Sequence, residues 1–363
     1  MRKLTPLITS AALLLSSSLF AATIRVPQDQ PNIQWGINAA SNGDTVLVDR
    51  GAYAVNVNFN GKKIVLKSAW GSDSTILSPT VNGIPIISIV TGEDISTTVE
   101  GFRFLRGHAA NGGAILFNNS SGRVLNSVFD ACRAPNGAGG SIACFGNSSR
   151  VQVFNSIFKN GLGGVWNGLA DALYSSGATV DFSRNLVINN SSNAVIYATA
   201  NSHVKIINNT IAQTSNSSVA LSVVDGSVGD LRNNIFFDNP AGSLLDNDLV
   251  TVEYNDFYLS PAGPFFGPGN ISKDPLFEGG APFSYRLQPS SPCIDVGDPK
   301  TAVPPLGGTR VDMGVFEFPG GIPIVGPDPR DSIIVESKTI AADSGTGGIV
   351  RLRVWITNKD TLA

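Results

Sequence analysis

The sequence predicts an all-β right-handed parallel β-helix, a solenoid of short strands, and three observations carry that expectation. A short motif returns at intervals of 21 to 30 residues between Phe102 and Phe257. Short segments beside it alternate apolar and polar residues with period two, which places one face inward, and no helical period of adequate length runs through the region. With 39 Gly and only 15% charged residues, the chain reads as many short elements joined by turns.

The elements follow in order from the N-terminus. Arg2 and Lys3 precede an uncharged apolar run from Leu7 to Phe20, and Ala21 and Ala22 offer a small-residue cleavage site. That layout is a secretory signal peptide over residues 1–22, too short for a membrane span, and it places the mature protein outside the cell or on its surface. No later run is long enough to cross a bilayer. Next comes a lid for the open end of the solenoid: Pro31 opens a short helix with Ile33, Ile37 and Ala40 on one face, and Gly43 ends it. First strands are expected at Thr45–Val48, Ile64–Leu66 and Ile86–Ile89.

The repeat itself aligns Phe102, Asn126, Asn155, Asn185, Asn209, Asn234 and Asn255, with steps of 24, 29, 30, 24, 25 and 21 residues. Two places on, the column reads Phe104, Val128, Ile157, Val187, Ile211, Phe236 and Phe257, all large and apolar and expected to stack inside. Pairs such as Val180 and Phe182, Val204 and Ile206, and Val250 and Val252 mark an alternating strand ahead of each motif. One such coil cannot bury its inner face alone, so neighbours stack about 4.8 Å apart. The Asn column suits a tight bend, where the side chain tolerates left-handed backbone and bonds nearby peptide groups. Steps of 29 and 30 are the same coil with a longer outer loop. The leucine spacing and helical half of a leucine-rich horseshoe are absent.

Resemblance sharpens both ends. Ile24-Arg25-Val26-Pro27, Ile33-Gln34, Gly43-Asp44-Thr45-Val46 and Gly51-Ala52-Tyr53 resemble the N-terminal cap (residues 23–53) of pectate-lyase-like β-helix proteins. Asp274-Pro275-Leu276-Phe277, Tyr285-Arg286-Leu287, Ser291-Pro292-Cys293-Ile294-Asp295 and Asp312-Met313-Gly314-Val315-Phe316-Glu317 resemble the closing segment (274–318) of secreted bacterial proteins with right-handed β-helix repeats. The likeness spans residues 23–318 and implies architecture more than activity, because this fold hosts lyases, hydrolases and adhesins alike. Residues 319–331 then read as a Pro/Gly linker, and 332–363 as an incomplete β-sandwich-like module with strand patterns at Ile333–Lys338 and Ile349–Thr357.

Composition narrows the function. A formal net charge of −3 over sparse charges indicates neither a nucleic-acid footprint nor a polybasic membrane surface. Three cysteines, Cys132, Cys144 and Cys293, are too few for a disulfide framework, and no Cys/His cluster has zinc spacing. The resemblance implies a groove along one sheet, where lyases pair bound Ca²⁺ with an Arg or Lys base and hydrolases use paired carboxylates. The Asn-Thr-Asp, Asp-Asp, Gly-His-Gly and Arg-Ile-Lys set of polygalacturonases is absent, as is the Trp-Ile-Asp-His segment of pectate lyases.

Two groups of candidate site residues remain. Four places after the Asn frame stand Arg106, Asp130, Lys159, Asn189, Gln213 and Asp238. Their first three members are read either as an exposed ion-pair row, or as an acid or metal group (Asp130) beside a base (Lys159 or Arg106). The two longest coils carry loops with Trp166, Asp171 and Tyr174, close to Arg133, Asp181 and Arg184. An exposed aromatic ring stacks on sugar rings and Asp171 accepts hydroxyl hydrogen bonds, unless these residues only pin the loop. The expectation is therefore a secreted or cell-surface scaffold, non-catalytic, with no cofactor, that presents its surface to polysaccharide or cell-surface glycan. The alternative is a lyase or hydrolase of acidic polysaccharide.

Overall fold

The computed structural model describes residues 21–135, 137–161, 170–191, 194–214, 219–239, 244–245, 249–261, 267–279, 284–304 and 308–318. Trp166, the segment 1–20 and everything after residue 318 lie outside them. The chain is an all-β parallel solenoid of about 8 turns, with one helix among the described residues. Each coil visits three sheets in the same order, as in Thr179–Ser183 (sheet 1), Leu186–Ile188 (sheet 2) and Ala194–Thr199 (sheet 3). The sheets hold 10, 9 and 8 strands respectively.

The interior follows from the alternation. In sheet 1 Val151, Val180 and Val204 share one inward register column, and Val153, Phe182, Ile206 and Leu231 share the next. The inward column of sheet 2 is Phe104, Phe129, Phe158, Val187, Ile211, Phe236 and Phe257. Its rings stack face to face, with centroids 4.8 Å apart for Phe104–Phe129 and 4.6 Å for Phe129–Phe158. Offset ring stacking adds to area burial, so aromatic runs suit an axis whose repeat is about one ring thickness plus contact.

This column corrects the sequence alignment by one residue in two coils. Val128 and Ile157 do not share a column with Val187 and Ile211; they pair with Leu186 on the outer face, and Phe129 and Phe158 point inward instead. The Asn column divides in the same way. Asn126 (φ 49°) and Asn155 (φ 51°) occupy a left-handed bend with Arg184, Asn208, Asn233 and Tyr254. The next residue forms an axial ladder. Backbone N–H groups donate from Ser127 to Ser156 Oγ, Ser156 to Asn185 Oδ1, Asn185 to Asn209 Oδ1, Asn209 to Asn234 Oδ1 and Asn234 to Asn255 Oδ1. Serine hydroxyls replace carboxamides in the two misaligned coils, so aligning on Asn alone selected the bend there and the ladder elsewhere. With period two, that single-residue slip exchanges inside for outside.

The ladder carries a measurable load. Asn234 Oδ1 accepts the Asn209 N–H at 2.9 Å, and its amide donates to the Ile206 carbonyl at 2.7 Å, all buried. Asn234→Ala leaves both backbone groups unpaired and is expected to cost about 2–4 kcal/mol in denaturant unfolding. Asn126→Gly, at the bend where glycine accepts positive φ, is expected to change stability by less than about 1 kcal/mol.

The N-terminal helix runs Ile33–Ala39 and buries Ile33, Gly36 and Ile37. Asn32, rather than Pro31, caps it by accepting the Trp35 N–H at 3.0 Å. Lys62 donates to the carbonyls of Ile37, Asn38 and Ala40 and so satisfies the other helix end. Described residues between 275 and 318 pack along the outer face of sheet 2. Phe277, Tyr285, Leu287, Cys293, Met313, Val315 and Phe316 form a second apolar cluster with Leu186, Ala212 and Ile235. That packing explains why outward positions of sheet 2 are apolar in the later coils. All three cysteines are buried free thiols.

Candidate binding groove

The outer face of sheet 1 is uncovered along its middle coils and carries a groove of about 320 Å³. Its construction follows from the inward valines: each residue between two inward residues must point out. One outward register column therefore reads Arg123, Gln152, Asp181, Lys205, Asp230, and the column beside it Arg150, Thr179, His203, Val228. Ile95 and Val228 give the groove apolar edges, each 39% exposed.

Two carboxylates of the groove already have partners. Asp230 binds Arg232 Nε at 2.7 Å, and Arg232 also reaches Asp298 at 2.9 Å. Asp181 accepts the Ser183 hydroxyl. Among the described residues, however, the side chains of Arg150, Gln152, His203 and Lys205 make no hydrogen bond or ion pair. Lys205 stands one coil from Asp181 and one from Asp230, yet pairs with neither. The groove thus gathers uncommitted donors of both hydrogen bonds and positive charge over an aliphatic rim.

The residues expected from sequence are scattered. Asp130 is buried on the outer face of sheet 2, bound by Arg103, by Lys159 at 3.8 Å and by Asn160 Nδ2 at 2.9 Å. Burial raises its carboxyl pKa, but the bonds from Asn160 and Arg103 and the Lys159 charge outweigh that and hold it below the ordinary value. Arg106 is not in this row. It sits at the following bend (φ 54°), in the series of Asn160, Asn189, Gln213 and Asp238, and Arg103 takes the place expected of it. The same one-residue slip is the cause.

Asp171 is buried where the chain enters sheet 3, accepting the Ser191 N–H at 2.7 Å. Tyr174 is 8% exposed on the outer face of sheet 3, between Phe145 at 5.4 Å and Tyr197 at 5.8 Å, the latter nearly parallel. Those neighbours flank the ring along the solenoid axis, leaving little of it open to a sugar. Arg133 bridges His108 in the loop between sheets 2 and 3, and Arg184 lies at the bend beside Glu317. These positions occupy different faces, and only Asp181 lines the groove. Gln152, His203, Lys205 and Arg150 were legible as the polar residues between inward pairs such as Val204 and Ile206; aligning those intervening positions coil by coil finds the row. No group of three His, Cys, Asp or Glu among the described residues is placed to hold a metal ion. No described helix is long and apolar enough to cross a membrane.

The sequence matches no protein-family model and no curated protein. Solved structures give fold likenesses. Pectate lyase Pel9A aligns with 79% of this chain and 90% of its own at 14% identity and a TM-score of 0.42. The family 6 alginate lyase AlyGC aligns with 70% of this chain and 54% of its own at 10% identity and a TM-score of 0.30. A mannuronic acid-specific family 6 lyase from human gut microbiota aligns with 69% of this chain and 79% of its own at 14% identity and a TM-score of 0.26. At these values the likeness concerns the coiled fold and not the site.

Proposed function

We propose that the protein is a secreted or cell-surface β-helix scaffold that binds a polysaccharide chain along the sheet 1 groove. The observation that carries this reading is the set of uncommitted side chains Arg150, Gln152, His203 and Lys205 gathered in one groove on the outer face of sheet 1. Ile95 and Val228 suit the C–H face of a sugar ring, and the donors suit hydroxyl and carboxylate oxygens. Arg150 and Lys205, the unpaired cations of the groove lining, favour an acidic glycan. Register columns run along the solenoid, so the ligand is expected to run along the axis, contacting side chains about 4.8 Å apart.

Titration calorimetry with polygalacturonate, alginate and neutral glucans tests this. Acidic chains are expected to bind best, with affinity falling as salt is added. A double variant, Arg150→Ala with Lys205→Ala, is expected to weaken binding at least about tenfold, or about 1.4 kcal/mol. Equal affinity in the double variant removes the groove as the site. The adjacency of Asp181 and Lys205 also supplies the carboxylate and amine types that lyase or hydrolase chemistry uses. Release of unsaturated or reducing ends from the same polysaccharides, with Ca²⁺ present, and its loss in Lys205→Ala, would assign catalysis instead of binding.

A further inference from the structure

A second surface stands near the N-terminal end of the solenoid, at the corner between sheets 1 and 2 in the first coils. Gln28, Asp49 and Trp70 lie at intervals of 21 residues, so they occupy one corner of consecutive turns. Gln28 Nε2 donates to Asp49 Oδ2 at 2.9 Å, and Trp70 Nε1 donates to Asp49 Oδ1 at 2.7 Å. The Arg50 backbone N–H donates to the same carboxylate at 2.8 Å, and its guanidinium lies 5.5 Å from the Trp70 ring centroid.

Trp70 is held without being buried. It is 45% exposed and belongs to none of the three apolar clusters, nor to the half-buried side chains packed against them. An indole in that state forgoes nearly half of the hydrophobic gain that normally retains tryptophan, while the bond to Asp49 limits its rotation. Trp35 offers a contrast on the cap helix: at 59% exposure it is freer, and its indole has no hydrogen bond among the described residues. A fixed, half-exposed aromatic plane beside a carboxylate, a carboxamide and a guanidinium is a pre-organised contact surface, which loses little conformational entropy when a ligand arrives.

We propose that Trp70, with Gln28, Asp49 and Arg50, forms a binding site for a neutral pyranose unit of a glycan. The ring's C–H face stacks on the indole, and its hydroxyls donate to Asp49 and accept from Arg50 and Gln28. Asp49 sets the charge preference. The Arg50 N–H first, then the Gln28 and Trp70 bonds, hold its carboxyl below the ordinary value, so it is anionic at neutral pH and repels a uronate. This site does not rest on the sheet 1 groove, which begins several coils later and favours the opposite charge class.

The test is calorimetry and saturation-transfer NMR with neutral cello-, xylo-, manno- and malto-oligosaccharides against the full chain. At least one series is expected to bind saturably. Trp70→Ala is expected to weaken it at least about tenfold, Arg50→Ala to weaken it less, and Trp35→Ala to leave it unchanged. Trp70→Tyr keeps a ring at the corner and is expected to retain measurable binding, which separates loss of the platform from loss of fold. Absence of saturable binding in all four series, native affinity in Trp70→Ala, or binding of uronate oligosaccharides alone at this corner overturns the proposal. Retention of acidic-glycan binding in Trp70→Ala keeps the groove reading separate from this one.

Discussion

Phe129→Ala is expected to lower stability by about 3–5 kcal/mol, more than the loss expected at the ladder or at any outward position. Phe129 has no exposed surface and is stacked between Phe104 and Phe158. The two flanking rings cannot close over the void, because strand hydrogen bonds and the ladder of Ser127 and Ser156 set the axial spacing of their coils. Stability in a solenoid is nearly a sum over neighbouring interfaces, so damage in the centre uncouples the coils on either side. Val128→Ala, one residue earlier, removes an outward side chain and is expected to cost only about 1 kcal/mol. Urea unfolding of both variants, read with amide exchange in the flanking coils, checks the register directly. A greater loss in Val128→Ala than in Phe129→Ala would mean that the faces are the reverse of those described.

The second large effect is a pH dependence in the segment packed on sheet 2. Asp256 lies buried there, 3.3 Å from the Cys293 thiol and accepting the Lys273 N–H, and burial pushes its pKa up to about 6. Glu317, facing Asp312, Asp295 and Arg184, is pushed to about 7, again chiefly by burial, and Asp312 is raised as well. A carboxyl whose pKa rises on folding contributes stability that is complete below its unfolded value, near 4, and lost as pH climbs through its folded value. Docking of this segment is therefore expected to be tightest near pH 4 and to loosen between about pH 4 and 7. For Asp256 the loss is on the order of 3 kcal/mol. Asp256→Asn should abolish most of that loss, because the amide does not titrate and its carbonyl still accepts the Lys273 N–H. Amide-exchange protection of residues 293–297 and 311–316, corrected for the intrinsic rate at each pH, measures it at pH 4 and pH 7 in both proteins. Greater protection at pH 7 than at pH 4, or an undiminished pH effect in Asp256→Asn, contradicts the assignment. Asp130 and Asp298, with lowered values, act in the other direction and lose their contribution only as pH falls through the acid range.

Much of the solenoid was legible because its signals are local and repeated. The pairs Val180 and Phe182, and Val204 and Ile206, stated which strand face is inward, and the structure places them so. The return of Asn185, Asn209, Asn234 and Asn255 stated the coil length. The failures at Asn126 and Asn155 arose because two corner positions accept asparagine for different reasons. One needs a residue tolerant of positive φ, and the other needs a side-chain acceptor for the next coil's N–H. Serine satisfies the second need equally well, so residue identity could not separate the two columns, and Asp130 and Lys159 were set one place out of register with Arg106. Tyr174 and Asp171 illustrate a different loss: sequence marks an aromatic or an acid in a long coil, but not the Tyr197 ring or the Ser191 N–H that occupies it.

The amino-acid sequence alone determined that the chain coils, about how long each coil is, and which strand residues face inward in most coils. Periodicity and glycine placement act over a few residues and are written in order. Tertiary structure decided which outward residues stay unpaired. Lys205 meets Asp181 and Asp230 only because neighbouring coils lie one strand spacing apart, and the closing segment covers sheet 2 while leaving sheet 1 open. Whether a charge is neutralised depends on distances between coils, and those are fixed only once the coils have stacked.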